Sequence, residues 1–143
     1  MRVKPLEIAV VALLFPACAL AGPVLVSDAW MRALPAGLPA AGYFTLHNTS
    51  SKEVALTGAA SSACGMLMLH KSSEQGSMGS MQDVTSVAVP AGGTVKFAPG
   101  GYHLMCMNPV PALKPGASVG VTLTFSDGSR SDVPFAVKNA QGK

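Results

Sequence analysis

The sequence predicts an all-β fold, an antiparallel sandwich or Greek-key barrel. Short stretches of alternating apolar residues recur between turn signals roughly every ten residues, as in small β-sandwiches. No stretch sustains the period of an amphipathic helix. Asp127-Gly128, between two alternating runs, is a strong two-residue hairpin signal.

The elements follow in order. Val24 to Arg32 reads as the first strand, and residues 34–41, rich in Pro, Gly and Ala, as a loop. Residues 42–48 form a second strand, ended by Asn48-Thr49-Ser50-Ser51, and 54–57 a short third. Small residues over 59–65 connect to a fourth strand, 66–70. A polar, glycine-containing loop over 71–80 carries Met78. Residues 81–89 resume β patterning, Pro90-Ala91-Gly92-Gly93 turns, and 94–98 alternates as a half-buried strand does. Pro99-Gly100-Gly101 is another turn, so 94–107 reads as a hairpin. Residues 108–117, with three prolines, form a loop. Val119, Val121, Leu123 and Phe125 share one face of the next strand, and 130–137 pairs back across Asp127-Gly128. The count is eight or nine strands, without internal repeats or a second domain.

The chain has 143 residues, enough for one domain with a substantial core. Arg2 and Lys4 precede an apolar run from Ile8 to Leu20, broken only by Pro16, and Ala19-Leu20-Ala21 fits a small-x-small cleavage rule. Residues 1–21 therefore read as a secretory signal peptide, with 22–143 as the single mature domain and no membrane span in it. A lipoprotein alternative would cut at Cys18, but Phe15-Pro16-Ala17 is a poor lipobox. The formal net charge of +3 falls to +2 when Arg2, Lys4 and Glu7 leave. With no basic cluster, nucleic acid is not an expected partner.

The chemistry concentrates in Gly100-Gly101-Tyr102-His103-Leu104-Met105-Cys106-Met107, a turn entering a strand. Side chains alternate faces along a strand, so His103, Met105 and Met107 share one side. Thioether sulfur is a poor ligand for zinc, magnesium or calcium and a good one for Cu(I). Similar chemistry recurs upstream in Met66-Leu67-Met68-Leu69-His70, followed by Met78 and Met81. His70 and Met81 are separated by ten residues, Met81 and His103 by twenty-one, His103 and Met105 by one.

This H-x10-M-x21-H-x-M pattern resembles that of the PCuAC-type periplasmic copper chaperones. Val26-Ser27-Asp28-Ala29-Trp30, Ala41-Gly42-Tyr43 and the glycine turns around residues 90–103 strengthen the likeness, which spans the mature chain. The resemblance implies a cupredoxin-like β-sandwich holding one Cu(I) through His70, Met81, His103 and Met105. It also implies a periplasmic carrier; a monomer is expected, and with no Ser-His-Asp set, paired carboxylates or phosphate loop no catalytic residue is assigned. The expected client is a copper-receiving protein, the respiratory oxidase's copper subunit or another periplasmic copper chaperone. Neutral imidazole and thioether give a soft, uncharged, four-coordinate site that suits Cu(I) and an exchangeable cargo. Where some members place a methionine two residues after the first histidine, this chain has Ser72. Its tail carries no His or Met, so no second, tail-borne Cu(II) site is expected.

Other residues read more plainly. Met66, Met68 and Met107 are core filler, the commoner use of methionine. His47 is a surface or hydrogen-bonded histidine, and Trp30 and Tyr102 are packing residues. Cys64 and Cys106 admit a disulfide, a pair of buried thiols, or a copper ligand. Strand parity puts them on opposite faces unless Gly65 breaks the register. Two further functions compete. A thiol-disulfide reductase would need a reactive pair, normally Cys-x-x-Cys, whereas these cysteines lie forty-two apart. A structural sandwich would bind no stoichiometric metal.

Overall fold

The computed structural model describes residues 22–73 and 80–143, with the side chains of 73, 80 and 81 excepted. The expected signal peptide over 1–21, with Cys18, and the loop residue Met78 lie outside the described residues. The strands are β1 (Val24–Arg32), β2 (Ala40–Asn48), β3 (Val54–Ala60), β4 (Cys64–Ser73), β5 (Ser80–Asp83), β6 (Val87–Val89), β7 (Thr94–Phe97), β8 (Tyr102–Pro109), β9 (Ser118–Phe125) and β10 (Arg130–Lys138). A single 3-10 turn, Pro35–Gly37, interrupts the loop after β1.

The expected all-β class is what the chain adopts. One curled sheet runs β5-β4-β8-β2-β1-β10-β9-β3-β6, with β7 also against β2. Its pairs are antiparallel except β1 and β10, which run parallel. The β9–β10 hairpin closes through Asp127-Gly128 as expected, with Gly128 at φ +84°, a conformation that favours glycine. Along β9, Val119, Val121, Leu123 and Phe125 are buried while Gly120 between them is exposed.

The sheet curls because each strand must hide one apolar face, and the inner faces meet in a single core. Phe44, Phe97 and Phe135 form its centre. The Phe44 and Phe97 rings stack at 4.4 Å between centroids, and Phe135 meets Phe44 edge-on at 5.7 Å. Gly42 stands opposite Leu104, and a Cβ there would lie 3.2 Å from the Leu104 Cβ and 3.3 Å from the Phe135 ring. The glycine lets β2 and β8 close over the core beneath His103.

One local expectation needs correction, and one open alternative is decided. Residues 94–107 are not a hairpin: β7 and β8 both run antiparallel to β2, β7 at Phe44 to His47 and β8 at Ala40 to Gly42. They are two pieces of one strand direction. The turn between them, held by Gly101 N–H donating to Ala98 O at 3.0 Å with Gly100 at φ +86°, is a jog instead of a reversal. The open alternative concerns the cysteines, which form a disulfide with Cα atoms 5.4 Å apart. The ladder pairs Leu67 with Cys106, three residues past Cys64, so a flat strand would hold the two Cα atoms about 10 Å apart. The start of β4 must therefore curl back over the core. Asn108, at φ 49°, faces this bend, its Cβ 3.0 Å from where a Gly65 Cβ would stand. The ladder keeps one register on both sides of Gly65, so the bend is a local change of direction where Gly65 meets Asn108 and not a slipped residue.

Candidate metal centre

β4 and β8 are long antiparallel neighbours, and their register decides the site. His70 stands opposite His103, Met68 opposite Met105, and Met66 opposite Met107. The alternate residues Leu67, Leu69, Leu104 and Cys106 turn to the core. The alternation thus sorts the two strands into an apolar inner face and an outer face of imidazoles and thioethers. β5 extends the sheet beyond β4, pairing Asp83 with His70 and Met81 with Ser72. The backbone register puts Met81 one diagonal step from His70, a spacing that long side chains bridge.

The imidazole rings of His70 and His103 lie edge to face, with centroids 5.6 Å apart. His103 is only 3% exposed although it lies on the outer face. Its Nδ1 is 3.2 Å from the Gly101 carbonyl oxygen, to which Nδ1–H donates. The same carbonyl accepts the Ser72 backbone N–H at 3.0 Å, so β4 and the jog before β8 share one acceptor. With the proton on Nδ1, the Nε2 lone pair is free, and that buried atom has no hydrogen-bond partner among the described residues. Fixing a ring by hydrogen-bonding its far nitrogen is how histidine is oriented toward a metal. Among the described residues neither ring nitrogen of His70 makes an aligned hydrogen bond either. Asp83 Oδ1 is 2.7 Å from His70 Nε2, but this close contact does not meet hydrogen-bond alignment. Each buried, unpaired polar atom costs about 1–3 kcal/mol.

Met105 is half-buried next to this pair. Among the described residues no three His, Cys, Asp or Glu converge as a metal site would require, so any metal held here draws on sulfur from methionine.

Burial pushes the His103 imidazole below its ordinary range, and the charge of a protonated His70 works in the same direction. The hydrogen bond to Gly101 opposes them. Neutral histidine is the ligating form. The consequence for stability has a definite sign. The unfolded chain binds a proton at His103 near pH 6.5 while the folded chain still refuses it, so this stabilisation is complete above that pH and is lost below it. The metal-free protein should lose stability between about pH 7 and 5, measured by urea unfolding, with a slope that a His103→Leu variant flattens. Asp127, held low by hydrogen bonds from Ser129, titrates below that window.

Residues 24–137 match the family described as "Putative lipoprotein LpqE-like". The chain belongs to the LpqE-like family. The "Putative lipoprotein Lxx21020" of Leifsonia xyli subsp. xyli (strain CTCB07) is 41% identical over 120 residues, covering 83% of this chain and 72% of its own. Among solved structures, apo-DR1885 from Deinococcus radiodurans is 33% identical, with a TM-score of 0.65 over 100% of this chain and 96% of that one. Its Cu(I) form is 32% identical, with a TM-score of 0.64 over 85% and 81%. The copper-bound PCuAC domain from PmoF2 has a TM-score of 0.69 over 84% and 96%, at 20% identity, which speaks to the fold alone. The solved structures similar to this LpqE-like chain thus include a Cu(I)-bound protein and a copper-bound PCuAC domain.

Of the residues singled out in the sequence, His70, His103 and Met105 stand on adjacent strands and one face, with Met81 on the next strand. His47 is exposed and bonded through Nδ1 to Thr94 Oγ1 at 2.9 Å, away from this face. Met66, Met68 and Met107 are not core filler: Met66 is 56% exposed, and all three occupy the outer face. Two participants had escaped notice. Asp83 was legible in principle, being two residues after Met81. The Gly101 carbonyl was not, since a backbone acceptor leaves no mark on residue identity.

Proposed function

We propose that this LpqE-like protein is a copper carrier whose site holds one Cu(I) per chain through His70, Met81, His103 and Met105. The observation that carries the reading is the buried Nε2 of His103, without a hydrogen-bond partner among the described residues, set beside the His70 ring and in line with Met105. The Cu(I) form of a relative 32% identical supports copper as the cargo. The donor set is uncharged and soft, favours Cu(I), and consists of ligands that exchange one at a time. That suits delivery to another protein and involves no bond-making on a substrate.

In this reading residues 22–143 form one monomeric domain, exported by residues 1–21 to the periplasm. It passes Cu(I) to a copper-receiving protein, the copper subunit of the respiratory oxidase or another chaperone. The lipoprotein wording of the family makes Cys18 the competing processing site. The mass of the exported chain distinguishes a start at Gly22 from a lipidated Cys18.

The test is an anaerobic titration of residues 22–143 with Cu(I) against a coloured Cu(I) chelator. One tightly held ion per chain is expected. His103→Ala and Met105→Ala should each weaken it by about a hundredfold or more, since even outer-sphere changes at metal sites cost 10–100-fold. If the wild-type chain fails to compete with the chelator, the metal reading falls and a purely structural sandwich replaces it.

A further inference from the structure

We infer that β4 and β8 carry a second Cu(I) station, built from thioethers alone by Met66, Met68 and Met107 and adjoining Met105. The register is the first argument. Met66 faces Met107 across the strands, and Met68 faces Met105 one step nearer the histidines. Directly opposed Cβ atoms lie about 4.5–5.5 Å apart and diagonal neighbours about 7–8 Å. Long, unbranched methionine side chains span such gaps, so one ion can be reached by all three sulfurs.

The second argument is position. The gaps of the core are filled from these strands by Leu67, Leu69, Leu104 and Cys106, on the opposite face. Met66 at 56% exposure fills no gap, and Met68 and Met107 are only half-buried. An apolar surface patch could as well be leucine or valine. What recurs instead is sulfur, in register with the histidine pair, so that the outer face reads His-His, Met-Met, Met-Met from the buried end to the exposed one. Lacking imidazole and lying in water, the outer station should hold Cu(I) more weakly than the inner one. A weak outer step adjoining Met105 gives the ion a place to pause while the inner ligands are released or engaged singly. Binding at this station stands on its own. Its role as an entry and exit step rests on the carrier reading above.

The test uses residues 22–143 with carbon-13 methyl-labelled methionine, titrated anaerobically with Cu(I) and followed by methyl NMR. The first equivalent should shift the Met105 methyl. Further Cu(I) should then shift the Met66, Met68 and Met107 methyls in a separate, weaker event. A Met66→Leu/Met107→Leu variant, conservative in volume and altered only at the outer face, should lose the second event and keep the first. If the Met105 methyl shifts while those of Met66, Met68 and Met107 stay fixed beyond one equivalent, the second station does not exist and the carrier reading survives. If the outer three shift and Met105 does not, the station stands and the inner site fails. Silence at every methyl overturns both.

Discussion

Removing the Cys64–Cys106 bridge is expected to lower the stability of the metal-free protein by about 4 kcal/mol, the chain-entropy value for a closed loop of this length. The bridge spans a sequence separation of 42 residues and ties the start of β4 to the middle of β8, the two strands that carry the histidines. Cys106 is fully buried, so a Cys64→Ala/Cys106→Ala variant adds a small packing loss without stranding a polar group. Urea unfolding of the variant, or of the wild type after reduction, measures the effect. A loss under 1 kcal/mol would mean that the long β4–β8 ladder holds the curl at Gly65 without the bridge. Copper affinity should fall far less than stability, because the register from Met66 to His70 is set by backbone pairing and not by the cysteines. The bridge is poorly placed for reductase chemistry. A reactive thiol needs access and an electropositive setting, and Cys106 has no exposure.

The same two strands show how far the sequence could be read. Alternation along residues 66–70 and 103–107 correctly put His103, Met105 and Met107 on one side. It could not say which side was the core, because leucine and methionine are both acceptable inside, and the frequency of methionine as filler pointed the wrong way for Met66, Met68 and Met107. The β9–β10 hairpin was legible because Asp127-Gly128 demands a reversal that little else satisfies. Pro99-Gly100-Gly101 was misread because a glycine turn looks the same whether the chain doubles back or jogs sideways. Only the shared partner β2 separates the two cases. The disulfide stayed open for a related reason. Parity argues against it along a straight strand, and the bend lies where Gly65 meets Asn108, a contact between distant residues. The long spacings from His70 to Met105 pointed, through a family resemblance, to residues that the register brings to adjacent strands. What they could not supply was the Gly101 carbonyl that fixes the His103 ring.

Replacing His103 by leucine is expected to make the metal-free protein no less stable and to abolish its stabilisation by Cu(I). Two effects of opposite sign meet at this residue. In the metal-free state a buried imidazole nitrogen without a partner is a cost of about 1–3 kcal/mol, and a leucine of similar size in the same pocket removes it. The lost Nδ1–H bond to Gly101 offsets part of that gain at about 1 kcal/mol, leaving the carbonyl still paired with Ser72 N–H. In the loaded state the balance reverses. A ligand held at a hundredfold excess over its dissociation constant stabilises the fold by about 2.7 kcal/mol, and at a thousandfold by about 4.1. Thermal unfolding with and without one equivalent of Cu(I), run on both proteins, reads the two effects separately. The wild type should shift upward on loading, whereas His103→Leu should start level or higher and not move. A variant several kcal/mol less stable without metal would assign His103 to the scaffold, and one that kept the copper-dependent shift would remove it from the ligand set. The expected outcome would be the signature of a residue whose polarity is kept for the ion: a histidine that the fold alone would rather replace by leucine.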